Sequence, residues 1–499
     1  MEYYAKSKKV QFTSERINEI KKNMKNIEEC LKENLTETDV EILNSSITDI
    51  AEKTEEKQKT LKEHHKDIVT CAEMFFLEYG EYFTEKEKKL VVEACRIHDL
   101  GKVNLVFQAM ICPKLAEKFY IDVRKTQQIP HGFLSAVTIS LDEFDDLSEL
   151  FSDKDFGPFI TAVYYHHDRE DHYNSPAIRK YAEKYYMKQI EEYLNRKIRK
   201  LNCSNLDDLL FRNNVYTGKY IPDSNAWKEY LLIKGLLNKF DYTVSAGYEN
   251  AESAIDLHEK KLVKNIEKFL NGKELRPAQK FMKMNRDKNL IVIAPTGSGK
   301  TEASLLWMNG EKSFYTLPLK VSSNAIYLRI KENYEYKDVA LLHSDAMAVY
   351  LREYNGNEDI GEKYERSKML SQPLTVCTVD QLFRFVYRAL GTEIFAATLK
   401  YSKLVLDEIQ AYEPRVIATI IYGLKMIQEM GGKFAIITAT FPPVLKYFME
   451  QYGLVEGKQY IFKDFTGKEY QVEKYPRHKV EIRHSEMNLD EIRLRGKNR

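Results

Sequence analysis

"NLIVIAPTGSGKTEAS", residues 289–304, decides the fold of the second half of the chain. Four apolar residues, "LIVI" (290–293), read as a buried strand. A glycine-rich turn follows, and the apolar spacing then becomes helical. A phosphate-binding loop needs this order, because loop N–H groups and the helix N-terminus converge on one point. Gly297 and Gly299, flanked by Thr296 and Ser298, would let the backbone turn inward around phosphate oxygens. Lys300 would reach the β/γ-phosphates of ATP, and the Thr301 hydroxyl would ligate its Mg²⁺. The strict pattern begins on Gly; here Ala294 stands in its place.

Similar strand-like runs follow in "EKSFYTLPL" (311–319), "QPLTVCTVDQLF" (372–383), "SKLVLDEIQAYEP" (402–414) and "KFAIITATFPP" (433–443), with helical stretches between them. This alternation predicts an α/β lobe with a mainly parallel sheet over 276–470. In "LVLDE" the strand delivers Asp407 and Glu408 to its C-terminal end, where such sheets bind ligands. Asp407 would hold Mg²⁺, and Glu408 would polarise an attacking water. "LRPAQ" (275–279) would set Gln279 near the adenine. The set, with "TLPLKVSSNAIYLRI" (316–330), "CTVDQLF" (377–383) and "TAT" (438–440) in order, resembles the RecA-like first motor lobe of a superfamily 2 helicase. Ala294 is normal for that superfamily. The resemblance implies a grip on the nucleic-acid backbone rather than on bases. It also implies a second lobe that carries arginines. The residues after "TAT" are too few for one and hold no "QxxGRxxR"-like segment. The chain is therefore expected to be truncated, or completed by a separate chain supplying the second lobe. Alone it is expected to show negligible DNA-stimulated ATP turnover.

The first half reads differently. Residues 1–60 are highly charged and predict a solvated helical arm. Between 61 and 250, stretches such as "HHKDIVTCAEMFFLEYG" (64–80) and "LLIKGLLNKFDYTVSAG" (231–247) carry helical periodicity, predicting an all-α domain. A polar linker is expected over 251–275, and residues 471–499 would be a tail or the start of a missing second lobe. The 499 residues thus suit a multi-domain chain. Lys+Arg (76) and Asp+Glu (75) balance, so net charge gives no argument for a polyanionic partner, although local basic grooves can cancel in the sum. The 6 cysteines form no C-x-x-C pair, which excludes a zinc knuckle or dithiol motif. Free thiols, no signal-type segment and no long apolar run predict a cytoplasmic protein without a membrane partner.

Seven of the 11 histidines fall between 64 and 172, a clustering that metal ligation would explain. Six of them lie in "LKEHHKDIV", "RIHDLGKVN", "IPHGFLSAV" and "VYYHHDRED"; "LNKFDYTVS" adds an aspartate. These segments resemble the HD phosphohydrolase superfamily. With the motor behind them, residues 60–445 resemble the CRISPR-associated HD-nuclease/helicases of type I interference systems. The resemblance implies His64 as a first-helix metal ligand, with His65 the alternative. It implies His98 and Asp99 as the name-giving pair, with Asp99 bridging two metals. His131, His166 and His167 would bind the second metal, and Asp241 would close the first site. Lys102 would contact the scissile phosphate. Mixed imidazole and carboxylate ligands suit Mn²⁺, Ni²⁺, Co²⁺ or Fe²⁺ better than Mg²⁺. The implied activity is metal-dependent cleavage of single-stranded DNA, fed by a motor and recruited by an RNA-guided surveillance complex. Two other readings stand beside it: an HD nucleotide or cyclic-nucleotide phosphohydrolase, and a non-catalytic DNA-binding recruitment module. His172 and Asp168 read as surface residues.

Overall fold

The structure is a computed structural model that describes residues 2–5, 59–140, 151, 156–167, 175–198, 200–212, 215–216, 224–253, 260–352, 360–389 and 391–470. Most of the expected arm, all of the expected 471–499 tail, and Asp168 and His172 lie outside these residues.

The helical half is built on elements whose starts are written in the sequence. Helix α1 (Leu61–Tyr79) begins at Thr60, whose hydroxyl accepts from the Glu63 N–H while the Glu63 carboxylate accepts from the Thr60 N–H. Helix α2 (Glu85–Ile97) repeats this reciprocal cap with Thr84 and Glu87. On α1 the buried residues Leu61, His64, Ile68, Cys71, Phe75 and Tyr79 fall on one helical stripe. Helices α3 (His131–Thr138) and α4 (Phe156–Tyr164) are buried almost throughout. Helix α5 (Asn225–Ser245) is buried on nearly every side and packs against α1, α2 and α4, so it is the axis of this half. The half departs from the all-α expectation at a two-residue antiparallel hairpin, β1 (Phe211–Arg212) with β2 (Val215–Tyr216). Runs this short give no periodicity to read.

The second half holds a seven-stranded, all-parallel sheet. Its strands are β3 (Leu290–Ile293), β4 (Ser313–Leu317), β5 (Val339–Leu342), β6 (Leu374–Thr378), β7 (Lys403–Asp407), β8 (Lys433–Thr438) and β9 (Ile461–Asp464). Their order across the sheet is β5-β6-β4-β7-β8-β3-β9. Strands β3, β4 and β7 are buried along their whole length, as helices on both faces require, which is why they read as mainly apolar runs. Helices α6 (Pro277–Met284) and α7 (Lys300–Met308) flank β3 in sequence. Inside the expected linker, residues Lys261–Leu270 form a helix whose Leu262 and Ile266 join the core of the α/β lobe.

The halves share one hydrophobic core, which runs from Leu61 and Phe240 to Leu404 and Ile436. Helix α5 lies against helix α8 (Glu393–Lys400) so closely that a Cβ on Gly235 would stand 2.4 Å from the Glu393 carbonyl oxygen. The buried Lys234 ammonium is 3.1 Å from Glu393 Oε1, which also accepts from the Tyr230 hydroxyl at 2.8 Å. A second buried group joins Lys239 of α5, Glu252 and Lys312. Tyr401, at the foot of β7, donates to Glu252 at 2.6 Å.

Candidate active sites

The turn after α2 carries His98, Asp99, Gly101 and Lys102, all buried. It is fixed against α3 by backbone contact. The Gly101 N–H donates to Ser135 Oγ at 2.8 Å, and Ser135 Oγ donates to the His131 carbonyl at 2.9 Å. A Cβ on Gly101 would sit 2.0 Å from that carbonyl oxygen, so only glycine allows the approach. Gly132 plays the same part toward α4, where a Cβ would meet the Tyr164 carbonyl at 2.6 Å.

These contacts gather the histidines around Asp99. Its Oδ2 lies 3.5 Å from His64 Nε2, 3.4 Å from His98 Nε2 and 2.5 Å from Lys102 Nζ. Its Oδ1 lies 3.3 Å from His131 Nε2 and 3.5 Å from His166 Nε2. Each oxygen thus faces a different set of rings. His167 closes the group formed by Asp99, His131 and His166, while Asp241 Oδ1 comes within 3.2 Å of His64 Nε2. His65 turns away and pairs its Nδ1 with the Tyr193 hydroxyl at 3.1 Å.

The donor set fits divalent metal ions. His98 Nδ1 sits 3.0 Å from the Cys95 carbonyl, and His166 Nδ1 2.7 Å from the Val163 carbonyl. A ring that donates from Nδ1 keeps its Nε2 lone pair free, the usual arrangement behind a metal ligand. His98 Nε2 and Asp99 Oδ1 are buried with no hydrogen-bond partner among the described residues. His131 and His166 bring their Nε2 atoms within 3.1 Å of each other, which two neutral acceptors do only around a shared cation or proton. Burial holds the rings neutral: it lowers His98 and His166, and takes His131 to about 3 and His167 to about 4. Burial opposes ionisation of Asp99, yet His98 and Lys102 hold its carboxyl well below the usual range. The net result is neutral imidazoles around a carboxylate.

In the other half the phosphate loop leaves β3 with Gly297 and Gly299 at φ of 76° and 82°, in the left-handed region. Lys300 Nζ lies 2.5 Å from Glu408 Oε1, across the gap between the β3 and β7 ends. Glu408 itself holds a left-handed backbone, φ 53° and ψ 44°, which disfavours any residue with a Cβ. Burial raises the Asp407 carboxyl. Its Oδ2 accepts from the Tyr315 hydroxyl at 2.7 Å, while its Oδ1 is buried without a partner. Gln410 donates to Glu408 and accepts from Thr438, tying "DEIQ" to "TAT". Gln279 lies against the loop, with Nε2 3.4 Å from the Gly299 carbonyl and Oε1 bonded to the Arg276 N–H. Thr301 is buried at the start of α7, and Thr296 stays exposed.

Sequence reasoning singled out neither Tyr315 nor the Lys239–Glu252–Lys312 group. Both look like ordinary core or linker residues, and their partners lie far away in sequence.

Comparison with known proteins matches residues 51–224 to the family model "Cas3, HD domain" and residues 277–448 to that of the "DEAD/DEAH box helicase". The CRISPR-associated nuclease/helicase Cas3 of Methanothermobacter thermautotrophicus is 25% identical over 464 residues, covering 80% of this chain and 54% of that protein. The CRISPR-associated endonuclease/helicase Cas3 of Escherichia coli K12 is 25% identical over 190 residues, 33% of this chain and 21% of that protein. The crystal structure of T. fusca Cas3 with AMPPNP superposes with a TM-score of 0.56 at 16% identity, covering 79% of this chain and 50% of that one, a likeness of fold. The chain spans about half the length of the Methanothermobacter relative. No described helix is long and apolar enough to cross a membrane.

Proposed function

Because the chain joins a Cas3 HD domain to a DEAD/DEAH box helicase lobe, we propose that it is a metal-dependent single-stranded DNA nuclease coupled to an ATP-dependent translocase. It would act in CRISPR type I defence on DNA opened by an RNA-guided surveillance complex. One observation carries the nuclease reading: Asp99 sends Oδ2 toward His64 and His98, and Oδ1 toward His131 and His166. A carboxylate split in this way suits two divalent ions. His64, His98, Asp99 and Asp241 would hold one; Asp99, His131, His166 and His167 would hold the other. Bound ions of the Mn²⁺, Ni²⁺, Co²⁺ or Fe²⁺ kind supply an activated water and charge stabilisation to phosphodiester hydrolysis. The protein's own part is to keep the rings neutral, to share Asp99, and to set Lys102 beside the non-bridging oxygens of the scissile phosphate. In the motor lobe, the 296–301 loop, Gln279 and Asp407 would hold Mg-ATP and Glu408 would orient the attacking water. A second motor lobe, in cis or from a partner chain, would complete that site.

The test is a labelled single-stranded oligonucleotide offered beside free nucleotides and cyclic nucleotides, with Mn²⁺. Oligonucleotide cleavage that His98→Ala and Asp99→Ala abolish supports the reading. Hydrolysis of nucleotides without DNA cleavage would replace it with a nucleotide phosphohydrolase.

A further inference from the structure

A cavity of about 260 Å³ opens directly on the His131, His166 and His167 side of the cluster. Its walls are Phe107, Met110, Ile129 and Pro130, with Asn104 and Gln128 at the margins. Among the described residues, no lysine or arginine lines it. The Asn104 amide is turned to the protein. Asn104 Nδ2 donates to the Gly101 carbonyl at 2.6 Å, and Asn104 Oδ1 accepts from the Phe107 N–H at 2.9 Å and the Tyr181 hydroxyl at 3.0 Å. Gln128 Nε2 points to Met110 Sδ. Beside the histidines, the wall carries the apolar and aromatic side chains of Phe107, Met110, Ile129 and Pro130. The Phe107 ring lies 5.7 Å from the His131 ring, and Lys102 Nζ lies 6.0 Å from its centroid.

Asn104 makes Phe107 part of the metal turn. One amide side chain holds the Gly101 carbonyl on one side and caps Phe107 on the other. The helix that presents the ring, Leu105–Ile111, therefore keeps a fixed distance from Asp99 and Lys102.

We propose that this cavity is a nucleobase subsite, in which Phe107 stacks on the base next to the scissile phosphate. The inference rests on the nuclease reading and deepens it. Next to a phosphate, a nucleic-acid strand offers a sugar and a flat base, and the base is the part that suits an apolar, aromatic wall. A base held by its faces is bound without regard to sequence. A base paired in a duplex has no free face to offer, so the slot selects single strands.

The test walks a single abasic site along a labelled oligonucleotide and maps the cuts with Mn²⁺. The unaltered protein should cut about tenfold less at the phosphate next to the missing base, the scale of one lost stacking contact. Phe107→Ala should raise KM for the intact strand about tenfold and erase that position dependence, and Phe107→Trp should restore both. Manganese content should be equal in all three proteins, which separates a lost stacking wall from a lost metal site. An abasic walk without a dip, or a dip that survives in Phe107→Ala, overturns the subsite. If the unaltered protein cuts no intact strand, the nuclease reading itself falls, and the subsite with it.

Discussion

Asp99 is the residue on which the helical half turns. It is fully buried, faces four imidazoles, and lies 2.5 Å from the Lys102 ammonium. Its loss should therefore have two separable effects. Asp99→Ala removes the proposed shared ligand and also takes from the buried Lys102 ammonium the carboxylate it is bonded to, a change that typically costs about 3–5 kcal/mol. His98→Ala removes a proposed ligand but leaves the Asp99–Lys102 pair standing. Both variants should lose bound Mn²⁺ and cut DNA about 100-fold less or worse, since even outer partners of a metal site are worth about 10–100-fold. Only Asp99→Ala should also melt several degrees lower when both are measured in EDTA. Equal melting points would show that the Lys102 pair adds nothing to stability. The two neighbouring rings on α1 can be told apart in the same way. His64 aims Nε2 at Asp99 and Asp241, whereas His65 is bonded to Tyr193. His64→Ala should lower the metal content and His65→Ala should not, read by elemental analysis of the purified proteins; the reverse result would move the first ligand to His65.

At the level of elements, what was legible in the sequence was whatever a single element encodes by itself. The phosphate loop follows one strand, Asp407 and Glu408 end another, and each histidine segment sits on one helix or turn. The helix over Lys261–Leu270 was hidden, because its three lysines, asparagine and glutamate make the stretch look like linker. Tyr315 was hidden for another reason, since its role depends on strand register. In the sheet Tyr315 stands opposite Val405, so Asp407, two residues on, lies diagonally on the same face and within reach of a tyrosine ring. The hydroxyl takes Asp407 Oδ2 and leaves the buried Oδ1 unpartnered, the atom expected to face Mg²⁺ or its water. Tyr315→Phe keeps the ring and removes one hydrogen bond, worth about 1 kcal/mol. The Mg²⁺ concentration needed for half-maximal nucleotide binding should rise about fivefold, while nucleotide binding in EDTA stays the same. A change in EDTA of equal size would mean that the phenol supports the loop rather than the aspartate.

Across the whole molecule, the two halves meet through charge as well as through oil-like packing. Two ammonium groups, Lys239 and Lys312, converge on the single carboxylate of Glu252, and Lys312 also donates to the carbonyls of Leu370 and Gln372. These residues come from α5, from the stretch after it, and from the foot of β4, so no local pattern could announce them. Burial is the main reason that the Lys312 amine is taken down to about 7. In the unfolded chain the same amine keeps its proton up to about 10.5. Between these two values the unfolded state binds more protons than the folded state, so this lysine makes stability rise with pH. The slope it can contribute is at most about 1.4 kcal/mol per pH unit, and below pH 7 its burial cost is at its full value. Lys312→Met removes the titrating group while Glu252 keeps Lys239 and Tyr401. The melting temperature of the unaltered protein, taken relative to the variant at each pH, should therefore climb from pH 7 to pH 10. Other lysines and tyrosines titrate in both proteins and cancel in that difference. Parallel curves would mean that Lys312 stays charged in the fold, held by Glu252 against its burial. A climbing difference would show that Lys312 sits close to neutral at the contact between the helical half and the α/β lobe, where it donates a hydrogen bond to Glu252.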